Sequence, residues 1–217
     1  MKCLICDRTL RELMSWSYIL HRSRQPLCEK CASQFQSFKQ SFSLSGLDFV
    51  TIHYEYNEMM QDVIYSYKGF GHIRLAKLFR PLFTPLKKER RASIVPIPSH
   101  VHKVERIGFQ PIEHLLRVAE VPYDPLLVKV YDGELSRLSK EERQQVDRIV
   151  RVREGVRVRA HCILIDDVIT TGTTLQQAAA VLREAGAKRI DAFVLSRPVK
   201  RSCYTVDKNI DKSRQTY

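Results

Sequence analysis

The chain has 217 residues, 44% of them hydrophobic and 28% charged, with a formal net charge of +12. That size suits one domain of about 100–200 residues with a sizeable core, plus a small appendage. No run of roughly 18 or more apolar residues occurs, and the opening MKCLICDRTL lacks the apolar stretch of a secretory signal, so neither membrane insertion nor export is indicated and a cytoplasmic protein is expected.

Four of the six cysteines come first, as two C-x2-C pairs: Cys3 with Cys6, and Cys28 with Cys31, 21 residues apart. A C-x2-C turn aims two thiolates at one point, and two such turns complete a tetrahedron around a metal with no open position. The reading is a structural zinc ion in a small zinc-ribbon-like module; disulfides and ordinary buried thiols are the competing readings, disfavoured in a chain without an export signal. ASQFQSFKQSFSLSG follows, polar with interspersed phenylalanines, and Gly46 is taken as the boundary of this module, residues 1–46.

The main domain is assigned to residues 47–197. DFVTIHYEY reads as a strand. Asn57 is placed to cap a helix through about Tyr67, with Met60, Val63, Ile64 and Tyr67 on one face, and a second helix runs from Ile73 to Phe79, limited by Pro81. ASIVPIPSH is a short apolar strand ended by Pro96 and Pro98, VHKVERIGFQP a basic loop, and Pro111 starts a helix with Ile112, Leu115, Leu116 and Ala119 on one face.

Between residues 68 and 106 ten Lys/Arg stand against two Glu, a local +8, a field that attracts nucleic acid, polyphosphate or a phosphorylated small molecule without choosing among them. Residues 131–159 are heavily charged, with Ser139 and Glu142 matching a capping box, and read as a surface excursion.

CILIDD is a continuous apolar strand of the kind buried on both faces of a parallel sheet; the helix after Thr174 carries Leu175, Ala178, Ala179 and Leu182 inward, and IDAFVLS closes a strand-helix-strand unit. Residues 198–217 form a basic tail expected to be mobile.

Adjacent carboxylates at the end of a buried strand repel and lose hydration, so Asp166 and Asp167 call for a functional reason. Ligands of open α/β sheets bind at the carboxyl ends of strands. The turn from Thr170 to Thr174 then opens a helix whose N–H groups and hydroxyls suit one phosphate, with Gly172 permitting close approach. A ribose 5-phosphate fits a phosphate cradle beside two hydroxyl acceptors. Neither G-x-G-x-x-G nor a P-loop is present.

ILIDDVITTGTT closely resembles the diphosphoribosyl-phosphate motif of type I phosphoribosyltransferases. With the four cysteines, YKGFG at 67–71, VPIPSH at 95–100 and the Gly108-Phe109 pair, the chain resembles the ComF family of competence proteins. The resemblance implies an α/β fold with a parallel sheet flanked by helices. It implies that Asp166 and Asp167 accept hydrogen bonds from the ribose hydroxyls while Thr170, Thr171, Gly172, Thr173 and Thr174 surround the 5-phosphate. It places Pro96, Ile97, Pro98 and Ser99, followed by Lys103 and Arg106, against the pyrophosphate of phosphoribosyl pyrophosphate, with magnesium bridging it and Lys68 reaching the same anion from the other side. Thr170 stands where purine-salvage relatives carry an aspartate near the base, and threonine does not take up a proton as a carboxylate does. The implied setting is natural transformation, alongside a ComFA-type DNA translocase, with two functions open: a phosphoribosyltransferase, or a non-catalytic single-stranded DNA-binding or adaptor protein that keeps the fold.

Overall fold

The computed structural model describes residues 2–10, 27–130 and 149–198. Short helix α1 (Glu29–Ala32) precedes a hairpin of β1 (Ser37–Leu44) and β2 (Leu47–Glu55). Helix α2 (Glu58–Gly69), a 3-10 segment (Ile73–Leu78), α3 (Arg80–Phe83) and a second 3-10 segment (Thr84–Lys88) lead to β3 (Ser93–Pro96), α4 (Val101–Ile107) and α5 (Pro111–Val118). The chain then forms β4 (Leu127–Lys129), β5 (Val150–Val152), β6 (His161–Val168), α6 (Thr173–Glu184) and β7 (Arg189–Arg197). The expected capping box at Ser139 and Glu142 and the tail beyond residue 198 lie outside the described residues.

The central sheet has the order β1-β2-β7-β6-β3, with only β1 antiparallel. Strand β6 explains its own apolar run: Cys162 and Leu164 enter the core on the α6 side of the sheet, Ile163 and Ile165 the core on the α2 and α5 side. Each large aliphatic side chain so buried contributes about 1.5–3 kcal/mol.

Several expectations change. The stretch before Gly46, assigned to the cysteine module, instead supplies edge strand β1, whose half-buried Phe38, Phe42 and Leu44 pack on the α6-side core. Gly46, at φ 85°, turns the β1–β2 hairpin. Residues 101–107, read as a basic loop, form α4; it buries no side chain and so carries no apolar periodicity to read. The Ile73–Leu78 segment stops at Phe79, before Pro81 as expected, but is 3-10 rather than α, and Pro81 then lies in the first turn of α3, where its missing N–H costs nothing. Val150–Val152, inside the expected surface excursion, pairs antiparallel with β4.

Asn57 joins the two parts of the molecule. Its Oδ1 accepts from the Met60 N–H at 3.0 Å, capping α2, while its Nδ2 donates to the Gln34 carbonyl at 2.8 Å. Leu4, Ile5, Leu27 and Phe35 pack against the α2-side core.

Candidate functional site

The helices after β6 and β3 pack on opposite faces of the sheet: α6 through Leu175, Ala178 and Leu182, α5 through Ile112, Leu115 and Leu116. Strands β3 and β6 are neighbours, with Pro96 opposite Ile165. The topological switch point therefore falls between their carboxyl ends, where open α/β sheets take ligands. The Ile97 N–H donates to the Ile165 carbonyl at 2.9 Å, so the Pro96-Ile97-Pro98-Ser99 loop leaves the sheet beside Asp166.

Asp166 is half-buried and Asp167 is 6% exposed. Asp166 Oδ1 accepts from the Asp167 N–H at 2.9 Å, Asp167 Oδ1 accepts from the Val168 N–H at 2.8 Å, and buried Ser196 donates its hydroxyl to the Asp167 carbonyl at 3.1 Å. Lys68, in the last turn of α2, forms an ion pair with Asp167. Burial alone would raise the Asp167 carboxyl, but the Lys68 ammonium holds it below the usual carboxylate range. Burial, followed by the neighbouring charge of Asp167, pushes Asp166 up to about 8. Burial would lower Lys68, yet the charges of Asp167 and Asp166 keep it above its ordinary value. The two carboxyls are thus set apart: Lys68 favours the charged form of Asp167, while burial beside that charge favours the protonated form of Asp166.

The next turn is open. Thr170, Thr171 and Thr173 are exposed, Thr174 is half-buried and Gly172 is buried. Gly172 precedes α6 at φ 83°, and a Cβ there would stand 2.6 Å from Leu44 Cδ2. Glycine is therefore required by the left-handed backbone and by the β1 side chain beneath it. The Thr171 and Thr173 hydroxyls lie 2.9 Å apart above the start of α6. That end carries the positive pole of the helix and unpaired N–H groups.

Lys103 and Arg106 are exposed on α4 and make no ion pair among the described residues. Lys68, expected to reach the pyrophosphate, is ion-paired with Asp167 at the same end of the sheet. Residues not singled out on sequence complete the surroundings. Gln110 Oε1 accepts from the Ser99 N–H at 3.0 Å and fixes the Pro98-Ser99 loop. The hydroxyl of buried Tyr67 donates to the Pro111 carbonyl at 2.8 Å and lies 2.8 Å from His114 Nδ1. With the hydroxyl hydrogen on Pro111, His114 carries its proton on Nδ1, and the network pins the end of α2 that bears Lys68. Burial, then the charge of Asp167, raises the half-buried Tyr56 phenol, which marks it as a neighbour of the carboxylate pair. Helical spacing placed Tyr67 on the inward face of α2 and the YKGFG resemblance included it, but nothing in the sequence signalled its hydrogen bonds or Tyr56.

The four cysteines come together as expected. Their sulfurs lie within 4.8 Å of one another, with Cys6 and Cys28 3.7 Å apart, close to the edge of about 3.8 Å expected for a tetrahedral zinc-sized ion with 2.3 Å bonds to sulfur. Burial would raise the Cys3 thiol, but the N–H groups of Cys6, Cys28 and Ile5 outweigh it and hold it down at about 6. Burial and the neighbouring thiols push Cys31 in the opposite direction, up to about 12, so the fit to a metal ion rests on the gathering of four sulfurs and not on their acidity.

A mostly parallel sheet with paired aspartates and a threonine-glycine turn at its switch point defines a phosphoribosyltransferase-type protein. Residues 98–216, more than half of the chain, match the phosphoribosyl transferase domain, and the chain belongs to that family. Along nearly its whole length it is similar to the competence protein ComFC: 29% identical to that of Streptococcus pneumoniae over 91% of this chain and 100% of the relative, and 29% identical to that of Bacillus subtilis over 90% and 94%. A shorter likeness, 42% identity over 65 residues, links 30% of this chain to 20% of the ribose-phosphate pyrophosphokinase of Buchnera aphidicola. No described helix is long and apolar enough to cross a membrane.

Proposed function

We propose that the carboxyl end of the sheet binds the ribose 5-phosphate part of phosphoribosyl pyrophosphate, and that the protein acts in the cytoplasm in natural transformation, as a ComF-type protein handling incoming single-stranded DNA with a ComFA-type translocase. The observation that carries the ligand reading is the adjacent Asp166 and Asp167 carboxyls at the end of β6, one of them ion-paired with Lys68, directly before an exposed helix start. In this reading Asp166 and Asp167 hold the ribose hydroxyls, and the N–H groups and hydroxyls of Thr171, Gly172, Thr173 and Thr174, with Thr170 at the rim, hold the phosphate. Zinc is the proposed ion of the four cysteines, since four thiolates leave no open coordination position and so make a structural site.

Magnesium is proposed to arrive with the pyrophosphate, a hard cation suited to oxygen donors. Phosphoribosyl transfer breaks the carbon–oxygen bond to pyrophosphate with positive charge developing on the sugar ring. The chain would position the sugar through the aspartates, hold the ring beside the Asp167 carboxylate, and meet the leaving anion with Lys103 and Arg106 from α4. For Lys68 to join them it must exchange Asp167 for the ligand.

The engagement of Lys68 by Asp167 also favours the second reading, a fold kept for binding single-stranded DNA or a partner protein. Two of the aromatic residues near the basic stretch, Tyr65 and Phe70, are 64% and 65% exposed in an edge-on pair 5.2 Å apart, the form of a stacking platform. The two readings separate on one double variant: Asp166→Asn/Asp167→Asn abolishes phosphoribosyl pyrophosphate binding and leaves single-stranded DNA binding intact. Loss of both in a folded protein would mean one site serves both ligands.

A further inference from the structure

A second cleft lies at the opposite end of the sheet. Strand β3 begins there at Ser93 and β6 at His161, and the segment between β5 and β6 closes over them as a furrow of about 780 Å³. That volume is within the usual range of small-molecule sites. Its polar wall is made by Arg91, Arg153, Arg157 and Arg159 with Ser93 and Asp124; Pro125, Leu126, Val156 and Val158 form the apolar one.

The sequence RVREGVRVR at 151–159 builds the polar wall by alternation. Val152 and Val158 turn toward the core on the α6 side, Gly155 reverses the chain at φ 71°, and Arg151, Arg153, Arg157 and Arg159 are left exposed. Arg159 Nη1 donates to the Arg90 carbonyl at 3.0 Å, which holds that guanidinium at the rim. The side chains of Arg91, Arg153 and Arg157 make no ion pair among the described residues.

Two further polar groups line the furrow: Ser93, itself 1% exposed, and the half-buried Asp124, whose carboxylate makes no ion pair among the described residues.

We propose that this furrow binds a nucleotide carrying two or three phosphates. The arginines offer charge-assisted, forked hydrogen bonds to the phosphates. A bare phosphate chain would leave the Pro125-Leu126-Val156-Val158 wall wet and would face the Asp124 carboxylate; a base covers the wall, and the amino and hydroxyl groups of a nucleotide donate to Asp124 and Ser93. The site is separate from the Asp166–Asp167 end and does not depend on the reading given to it.

The test is calorimetric titration of the full chain with ATP at low salt. ATP binds saturably, and Arg153→Ala/Arg157→Ala weakens it by about tenfold or more as charge-assisted bonds are lost. Asp166→Asn, which disables the opposite end, leaves ATP binding in place. Three results would each overturn the proposal: no binding by the folded chain; binding lost in Asp166→Asn but kept in the arginine pair; or inorganic tripolyphosphate binding as tightly as ATP. A single-stranded oligonucleotide that requires these arginines where ATP does not bind would reassign the furrow to a nucleic-acid backbone.

Discussion

Lys68 and Asp167 form an ion pair at the switch point of the sheet, and Asp166, whose Oδ1 accepts from the Asp167 N–H, stands directly beside that pair. A buried carboxylate that loses its cation is left uncompensated. Lys68→Met should therefore destabilise the protein by about 1–3 kcal/mol, less than for a fully buried pair because the Lys68 side chain is 33% exposed. Adding Asp167→Asn should recover much of the loss. A double-mutant cycle by urea unfolding measures the coupling, and additive effects would show that the two residues do not interact.

Asp166 gives a pH signature of the opposite sign from an ordinary salt-bridged acid. Its carboxyl is raised from 3.8 to about 8, so between those values the folded state holds a proton that the unfolded chain releases, and stability falls as pH rises. Asp166→Asn removes that penalty. The variant should match the parent near pH 4 and exceed it by more than about 1 kcal/mol near pH 8, one pKa unit corresponding to about 1.4 kcal/mol. Thermal melts across this window check it. A parent chain equally stable at both ends, relative to the variant, would show that Asp166 is ionised throughout.

Gly172 is fixed by two independent constraints: its φ of 83°, and Leu44 Cδ2, which would lie 2.6 Å from any Cβ added there. Gly172→Ala should cost about 1–3 kcal/mol and tilt the start of α6. Combining it with Leu44→Ala removes the clash but not the backbone strain, so only part of the loss relative to Leu44→Ala alone should return. Urea unfolding of the three variants measures both parts.

Removing the metal should unfold the cysteine module before the sheet. The four sulfurs gather residues from two short segments, and among the described residues the module's packing against the α2-side core comes from Leu4, Ile5, Leu27 and Phe35. Hydrogen exchange after chelation should show lost protection near Cys3–Asp7 and Cys28–Cys31, with β6 and β7 still protected. Freshly purified protein containing no zinc would end the metal assignment.

Much of the sheet was legible because its signals are local. The apolar run of β6, the Asn57 cap, Pro111 and the inward face of α6 each announce themselves within one element. The cysteine cluster was legible for the same reason, since C-x2-C dictates the turn. What the sequence hid depends on distant partners or on the absence of burial. Helix α4 buries nothing and shows no period. Strand β1 is an edge with alternating but mostly exposed residues, and its role appears only when Leu44 meets Gly172. The pairing of Lys68 with Asp167 was not legible, because nothing local reveals that α2 ends against β6. The valine-arginine alternation at 150–159 was visible as charge, but the furrow it lines exists only once β3 and β6 start side by side.

Whether the aspartate pair and the start of α6 hold a ribose 5-phosphate is decided by titrating the intact chain with phosphoribosyl pyrophosphate and magnesium in a calorimeter. Saturable binding at one site is expected, with proton exchange from Asp166 visible as heats that vary with the buffer's ionisation enthalpy near pH 8. A folded, metal-loaded chain that gives no binding heat with any buffer, and no displacement by ribose 5-phosphate, would contradict it.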